Sequence, residues 1–334
     1  MSKKVLVTGG AGYIGSHTVR ALRAQGYDPV VFDNLSRGHR EAVLDAPIIE
    51  GELLEPQTIR AALSGGDFQA VVHFAALTYV GESVSHPSAY YRNNVVGTLN
   101  LLDAMREEGV KALIFSSTAA VYGDPQKIPM DEDHPKSPVN PYGQSKLMVE
   151  RMLADFDTAF GLQYVALRYF NAAGCSLDAL IGEDHDPETH LVPRVLQAAA
   201  GEIPNVTILG TDYDTPDGTC VRDFIHVEDL AAAHICALRH LLDGGKSLAL
   251  NLGTSAGNSV REVIDCVGRV TGRKVPVEEG PRRAGDPPFL VADASRAQQS
   301  LGWQPQHTEL EAIVASSWRW MERGGRYARL KPQV

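Results

Sequence analysis

Residues 5–15 read Val-Leu-Val-Thr-Gly-Gly-Ala-Gly-Tyr-Ile-Gly, an apolar run that leads into a glycine-rich segment. This pattern is typical of a buried strand, a tight turn and a helix. Gly9 allows the turn, Gly12 lets the backbone approach a ligand, and Gly15 lets the helix pack closely on the strand. Free N–H groups at the start of that helix favour an anion such as a pyrophosphate. The segment therefore predicts a dinucleotide site.

An acidic residue ends the next apolar run, Val30-Val31-Phe32-Asp33. A carboxylate at this place accepts hydrogen bonds from the adenosine ribose and repels a 2′-phosphate. The pattern favours NAD over NADP as the cofactor, although nearby Arg37 keeps NADP open.

Short β-rich runs alternate with helical patterns through the first half of the chain. The predicted strands are Lys4–Thr8, Pro29–Asp33, Pro47–Glu50, Ala70–Phe74, Ala112–Ser116 and Gln163–Arg168. The predicted helices are Gly15–Gln25, Glu55–Leu63, Asn94–Glu108 and Ser145–Phe160. This alternation predicts an α/β fold, a Rossmann-type doubly wound parallel sheet with helices on both faces.

Glycine, proline and aspartate become frequent after about residue 171, and the alternation loosens. We expect residues 1–170 to form the NAD-binding domain, with 224–250 packing back onto it. Residues 171–334 are expected to form a smaller, mixed α/β C-terminal lobe that binds the substrate.

The composition argues against several other classes of protein. The 334 residues carry a formal charge of −10, which argues against general binding to nucleic acid or an anionic membrane. An anionic substrate must then be held by local Arg or Lys residues. The four cysteines show no paired spacing, and no run approaches the ~20 apolar residues of a membrane span. We expect reduced thiols, a cytoplasmic location and no bound metal.

Tyr142 and Lys146 lie four residues apart in Pro-Tyr-Gly-Gln-Ser-Lys, on one face of a predicted helix. Free tyrosine has a pKa of about 10 and is a poor base at neutral pH. The Lys146 ammonium and an oxidised nicotinamide ring would both favour the phenolate. Lowering the tyrosine pKa to about 7 requires roughly 4 kcal/mol, which two partly desolvated positive charges can supply.

Hydroxyl groups cluster where the fifth predicted strand ends, in Phe115-Ser116-Ser117-Thr118. Ligands of open parallel sheets bind at this edge. We select Thr118 as the hydroxyl that orients a substrate oxygen, while the serines could instead bond to backbone groups.

Motifs throughout the chain resemble, in order and spacing, those of the UDP-glucose 4-epimerases of the extended short-chain dehydrogenase/reductase family. They occupy residues 8–18, 33–39, 73–84, 90–105, 115–124, 141–150, 167–174, 217–231, 251–260 and 282–297. The later motifs, such as DGTCVRDFIHVEDLA and RRAGDPPFLVADASRA, are more specific than the glycine turn.

The resemblance implies that Tyr142 is the acid/base, that Lys146 binds the nicotinamide ribose and that Thr118 assists. It implies a cofactor site made of Gly9, Gly12, Tyr13, Ile14, Gly15, Asp33, Asn34, Glu52, Leu53, Phe74, Ala75, Ala76, Asn93, Ser116, Tyr142, Lys146 and Tyr169. It implies a UDP-sugar site made of Thr118, Tyr142, Asn171, His190, Leu209, Arg222, Arg283, Asp286 and Leu290. It also implies a homodimer joined through the helices at Asn94–Glu108 and Ser145–Phe160.

Some positions depart from the family's pattern. Thr118 stands where serine is usual, Glu52 where aspartate is common, Thr78 where lysine is frequent and His190 where some members have asparagine. Leu290 occupies a place beside the sugar that a bulky tyrosine narrows in some members. We hypothesise that the smaller leucine also admits N-acetylhexosamines.

The implied reaction inverts C4 of a UDP-hexose, UDP-galactose or UDP-glucose, through a 4-keto sugar. A 4,6-dehydratase commonly needs an Asp-Glu pair after the threonine, whereas Ala119 and Ala120 follow Thr118 here. A UDP-uronate epimerase or decarboxylase, and a net NAD-dependent dehydrogenase, stay open. A non-catalytic NAD-binding protein is disfavoured because Tyr142 and Lys146 are both present.

Overall fold

The structure, a computed structural model, describes residues 3–283 and 285–327. Its strands are β1 Lys4–Thr8, β2 Asp28–Asp33, β3 Ile48–Glu50, β4 Phe68–His73, β5 Ala112–Thr118, β6 Gln163–Tyr169, β7 Asn171–Ala173, β8 Val206–Leu209, β9 Val221–Arg222, β10 Phe224–His226, β11 Leu248–Leu252, β12 Asn258–Ser259, β13 Val277–Gly280 and β14 Phe289–Leu290.

Its α-helices are α1 Tyr13–Ala24, α2 Pro56–Leu63, α3 Val80–Ser85, α4 Pro87–Tyr90, α5 Gly97–Glu107, α6 Pro141–Phe160, α7 Leu191–Ala200, α8 Val227–Leu242, α9 Val260–Thr271, α10 Ser295–Leu301 and α11 Leu310–Glu322. A π-helix, Tyr91–Val96, joins α4 to α5, and two short 3₁₀ helices span Arg40–Val43 and Ala119–Val121.

Seven parallel strands form the main sheet in the order β3-β2-β1-β4-β5-β6-β11. The order reverses between β1 and β4, so a crevice opens at the carboxyl ends of these strands. Thr8, the last residue of β1, pairs with Phe32 and with His73. The Rossmann-type doubly wound sheet predicted from the sequence is confirmed.

Alternate residues of each central strand enter separate cores on the two faces of the sheet. Val5 and Val7 belong to a core with residues of α1 and α8, whereas Leu6 belongs to one with residues of α2, α5 and α6. Because both faces are covered, the strands are apolar along their whole length rather than alternating.

All six predicted strands are present, with ends that differ from the prediction by one or two residues. The helix predicted from Ser145 begins earlier, at Pro141. The Asn140 side chain caps it by accepting from Gly143 N at 2.9 Å, and Pro141 suits the first helical position. Tyr142 therefore lies in the first turn. The prediction missed the edge strand β11, whose pairing with β6 depends on contacts distant in sequence.

A third core lies beyond the main sheet. It joins α7, α9 and α11 through side chains such as Leu196, Val263, Val267 and Ile313. Short sheets with the orders β12-β9-β14, β13-β8 and β10-β7 accompany these helices. Among the described residues, no helix combines the length and apolarity needed to cross a bilayer.

A buried ion pair crosses the core between β6 and α6. Arg168 Nε and Nη2 donate to Glu150 Oε1 and Oε2 at 2.9 and 2.6 Å, and both side chains are less than a tenth exposed. Ser117 Oγ donates to Glu150 and Arg168 Nη1 to Tyr122 Oη. Tyr122 donates in turn to Asn251 of β11. Both charges are largely shielded from water, so each charge is stabilised mainly by the other.

Replacing Arg168 by methionine should therefore lower the free energy of unfolding by about 3–5 kcal/mol, because Glu150 would be left buried and unpaired. The exposed Arg60–Glu107 pair has similar two-point geometry, with distances of 2.6 and 3.3 Å. Arg60→Met is the matched control and should cost less than about 1 kcal/mol. Urea denaturation of both variants checks this; equal losses would contradict it.

Candidate active site

One large cavity, of about 1550 Å³, lies at the carboxyl ends of the main-sheet strands. Sites for a single small ligand usually have roughly 300–1,000 Å³. The cavity is bordered by the glycine turn after β1 on one side and by α7, β8 and β9 on the other. It has room for a dinucleotide and a second ligand together.

Nearly all the residues selected from the sequence line this cavity. Those found there are Gly9, Gly12, Tyr13, Ile14, Gly15, Asp33, Asn34, Glu52, Leu53, Phe74, Ala75, Ala76, Asn93, Ser116, Thr118, Tyr142, Tyr169, Asn171, His190, Leu209, Arg222, Arg283, Asp286 and Leu290. Lys146 is the exception among the selected residues: it lies behind the wall, 2% exposed.

The glycine turn has the geometry that a pyrophosphate requires. Gly9 has a φ of +71°, and a Cβ there would stand 2.5 Å from Ala75 N. A Cβ on Gly15 would overlap the carbonyl oxygen of Gly9. Gly12, the residue before α1, lines the cavity with only Gly9 O close to its Cβ position, at 3.3 Å. The turn thus fits a dinucleotide, whose phosphates would meet free N–H groups of α1.

Asp33 ends β2 beside this turn. Its carboxylate accepts from Ala11 N at 2.9 Å and from Leu35 N at 2.8 Å, so its orientation is set before any ligand binds. Each oxygen keeps acceptor capacity for a ribose hydroxyl. Arg37, which could have admitted a 2′-phosphate, is paired with Glu82 at 2.8 Å. This pairing strengthens the preference for NAD.

Tyr142 is placed by the first turn of α6, next to the end of β5. Burial raises the pKa of Tyr142 to about 12, although a hydrogen bond with Thr118 acts in the opposite direction. Thr118 Oγ1 also accepts from Ala120 N at 3.1 Å, which holds the hydroxyl in place. The protein's own groups therefore keep the phenol neutral at physiological pH.

Lys146 occupies a buried position one turn along α6. Its Nζ donates to Ser116 O at 2.8 Å and lies 4.8 Å from the centre of the Phe115 ring. Burial lowers the pKa of Lys146 to about 7. The sequence analysis expected Lys146 to lower the tyrosine pKa. In the structure, the effect of burial on the Tyr142 pKa outweighs any effect of Lys146. The positive charge of a bound nicotinamide is therefore the main candidate for lowering the Tyr142 pKa.

On the opposite wall, two guanidinium groups share one carboxylate. Arg222 Nη2 donates to Asp286 Oδ1 at 2.7 Å, and Arg283 Nη2 to Asp286 Oδ2 at 3.0 Å. Arg222 is largely buried and Arg283 exposed. Asn171 Nδ2 donates to Asp223 O at 3.2 Å, which fixes the amide. In a protein of net charge −10, this pair of arginines provides local positive charge of the kind that an anionic ligand would need.

The loop before α7 holds three titratable side chains that the sequence analysis did not select. Glu183, His185 and Glu188 line or border the cavity and surround His190. Burial lowers the pKa of His190, but the Glu183 and Glu188 carboxylates raise it to about 10. The run His185-Asp-Pro-Glu-Thr-His190 carried the signal, but the sequence analysis selected only His190 from it, as part of the UDP-sugar site.

The fold and this site define a dinucleotide-dependent enzyme of the short-chain dehydrogenase type. A family model described as the NAD dependent epimerase/dehydratase family matches residues 5–253. The chain belongs to this family, which confirms the expectation of NAD as cofactor.

Similar proteins agree with the resemblance seen in the motifs. The UDP-glucose 4-epimerase of Halalkalibacterium halodurans is 50% identical over 316 residues, or 95% of each chain. The UDP-glucose 4-epimerase from Brucella ovis in complex with NAD has a TM-score of 0.94 at 51% identity, over 95% of this chain and 98% of that chain. The enzyme from Bifidobacterium longum in complex with NAD⁺ and UDP has a TM-score of 0.91 at 39% identity, over 97% and 100%.

Replacing Asp33 by alanine should weaken NAD binding about 10–100-fold, because a charge-assisted hydrogen bond is worth about 1.5–3 kcal/mol. NADP binding should weaken less, since the carboxylate no longer repels its phosphate. Asp28→Ala, an exposed change at the start of the same strand, is the control. Calorimetric titration of dinucleotide-stripped protein measures both affinities; an unchanged NAD affinity in Asp33→Ala would contradict the assignment.

Proposed function

We propose that this chain is an NAD-dependent 4-epimerase that interconverts UDP-galactose and UDP-glucose. The observation that carries the proposal is the place of Tyr142. Its phenol lies beside Thr118, in the same cavity as the glycine turn and Arg222. The names of the similar proteins support the same substrates.

The two sides of the cavity suggest that one part of the chain binds NAD and another part binds the UDP-sugar. We assign NAD binding to residues 1–170 together with 224–250, and UDP-sugar binding to residues 171–334, of which 284 and 328–334 lie outside the described residues. Asp33 would accept from the adenosine ribose, and the turn containing Gly12 would bind the pyrophosphate. Arg222 and Arg283 would exchange Asp286 for phosphate oxygens of UDP.

NAD, when bound, supplies reversible oxidation at C4 of the sugar. Tyr142 Oη, as phenolate, takes the proton of the 4-hydroxyl and later returns it to the oxygen of the 4-keto sugar. Thr118 Oγ1 orients that oxygen. Lys146 holds the strand end at Ser116 by a hydrogen bond, and we assign it the cofactor ribose, which it would approach from behind the cavity wall. Arg222 holds the diphosphate while the keto sugar turns about its phosphate linkage and presents its other face.

Leu290 supports a wider substrate range. It lies in the cavity wall, partly buried against a cluster that includes Phe170 and Tyr122. A leucine leaves more space beside the sugar than a tyrosine would. We therefore include UDP-GalNAc and UDP-GlcNAc among the proposed substrates.

Product analysis tests the function directly. The purified protein is incubated without added NAD, separately with UDP-galactose, UDP-GalNAc and UDP-glucuronate. We expect UDP-glucose and UDP-GlcNAc and no lasting absorbance of reduced cofactor. A lasting rise would indicate a net dehydrogenase, and conversion of UDP-glucuronate alone would indicate a uronate enzyme. No turnover of UDP-GalNAc would remove the wider range.

Tyr142→Phe should lower kcat by about 10²–10⁴-fold, the usual contribution of an acid/base group. NAD content and folding should remain close to wild type, because phenylalanine keeps the ring. Tyr27→Phe, at a core position outside the cavity, is the matched control and should be neutral. Turnover of UDP-galactose is measured for all three proteins; a fully active Tyr142→Phe would refute the mechanism.

Thr118→Ala should shift the pH dependence of kcat. Loss of the hydrogen bond from Thr118 raises the Tyr142 pKa. Phenolate exists above that pKa and is lost as pH falls, so activity at neutral pH should fall and recover in more alkaline buffer. Thr118→Ser keeps the hydroxyl and should restore the wild-type profile. A Thr118→Ala profile that is lower at every pH, without displacement, would contradict this role.

Assembly and location complete the proposal. The helical segments expected at the homodimer interface expose the apolar side chains Val96, Leu99 and Met148. We propose a homodimer through this surface, to be checked by light scattering. We also propose a cytoplasmic location, supported by Cys175, Cys220, Cys236 and Cys266, all of which are free thiols.

A further inference from the structure

Four side chains of the loop between β7 and α7 converge on one point. They are Glu183, His185, Glu188 and His190, and one potential ligand atom from each lies within 4.8 Å of the others. Glu183 Oε1 lies 2.8 Å from His190 Nδ1 and 3.2 Å from His185 Nδ1. Glu188 lies 3.0 Å from His190 Nδ1 and 3.5 Å from His185 Nδ1. Two nitrogens and two carboxylates thus surround a common centre.

Two of these atoms lack hydrogen bonds despite their short distances. Glu183 Oε1 and His185 Nδ1 are buried and have no hydrogen-bond partner among the described residues. The Glu183 side chain is only 5% exposed. A buried carboxylate oxygen without a partner costs about 1–3 kcal/mol or more, so such an atom calls for an explanation. Both atoms have charged neighbours within 3.5 Å, but no hydrogen bond from the described part of the chain satisfies either of them.

The backbone around the cluster is held independently of it. Gly182 N donates to Tyr327 Oη at 2.9 Å, and Tyr327 N donates to Asp184 Oδ2 at 2.9 Å. His39 lies 3.5 Å from the same Asp184 carboxylate. Residues on either side of Glu183 are therefore anchored to distant parts of the chain. The four side chains are brought together by a preorganised loop, not by attraction to each other alone.

The donor set identifies the class of ion. Mg²⁺ and Ca²⁺ prefer oxygen ligands throughout, whereas imidazole nitrogens suit zinc and neighbouring divalent transition metals. Imidazole nitrogens and carboxylate oxygens are both zinc ligands, and four of them match the four-coordinate geometry that zinc prefers. We propose that Glu183, His185, Glu188 and His190 bind one divalent transition-metal ion of the zinc type.

The position of the cluster gives such an ion a structural role. The His185 ring contacts the Tyr13 ring edge-on, with centroids 6.1 Å apart. Tyr13 begins α1 at the glycine turn, and its hydroxyl donates to Gly174 O at 2.5 Å. The ion would join this loop to the start of α1 and to α7, which begins just after His190. His190 would then serve the ion rather than the sugar, a revision of its role implied by the resemblance.

Zinc binding to the full chain tests the inference. Protein freed of metal with a chelator is titrated with ZnCl₂ by calorimetry, with MgCl₂ as the contrasting ion. We expect one Zn²⁺ per chain, a higher melting temperature with Zn²⁺ and no comparable effect of Mg²⁺. Failure of the wild-type chain to bind Zn²⁺, or equal binding of Mg²⁺, would overturn the proposal. Neither outcome depends on epimerase activity.

Substitutions of the proposed ligands test which residues bind the ion. Glu183→Gln and His185→Asn should each weaken Zn²⁺ binding by more than about 100-fold, since replacing even the hydrogen-bond partners of metal ligands costs about 10–100-fold. His39→Asn is the matched control, because His39 also faces a carboxylate of this loop without belonging to the cluster. Wild-type affinity in both Glu183→Gln and His185→Asn would refute the assignment.

X-ray absorption of the zinc-loaded wild-type protein keeps the test independent of whether variants fold. The expected spectrum shows nitrogen and oxygen neighbours with imidazole scattering. The chain has four free cysteines, which offer a different kind of ligand. A spectrum dominated by sulfur would show that Zn²⁺ binds elsewhere and would overturn the proposal.

Discussion

The parallel pairing of β1 with β2 and β4 is the constraint on which the rest of the structure depends. It aligns Thr8 with Phe32 and with His73, so that the chain leaves all three strands at the same edge. The turn containing Gly9, the carboxylate of Asp33 and the segment after β4 therefore meet at one place. A shift of one residue in either pairing would turn apolar side chains away from their cores, because successive side chains face opposite sides. Packing on both faces protects the geometry of the cofactor site.

Burial has opposite effects on charged groups at two places in the molecule. Around Arg168 and Glu150 it isolates two charges that satisfy each other, which ties β6 to α6. Around Tyr142 it disfavours the phenolate and raises the pKa to about 12. A phenol that stays neutral until a positive ring is bound beside it can act as a base only in the loaded enzyme. In the proposed mechanism, the acid/base step would therefore depend on cofactor binding.

Sequence reasoning found the parts of the site that lie next to regular structure. The glycine turn follows β1, and Asp33 and Thr118 end β2 and β5; each of these strands had a clear apolar pattern, and all three features line the cavity. For Lys146 it identified the helical spacing from Tyr142, but spacing does not reveal how deeply a side chain is buried. It missed β11 and the cluster around Glu183, because the first needs β6 as a partner and the second needs a loop folded back on itself.

Short stretches of sequence set the local conformations, such as the turn that only glycine permits at Gly9 and the two-faced burial of the main strands. The start of α6 at Pro141, although predicted at Ser145, also follows from local residues, the Asn140 cap and the proline. These depend on backbone sterics, capping and apolar period, all of which act over a few residues. The assembled fold alone sets which charges are paired, such as Arg222 with Asp286, and which titrating groups lose contact with water. Desolvation and ion pairing depend on groups far apart in the chain, so they exist only once the two sides of the cavity have come together.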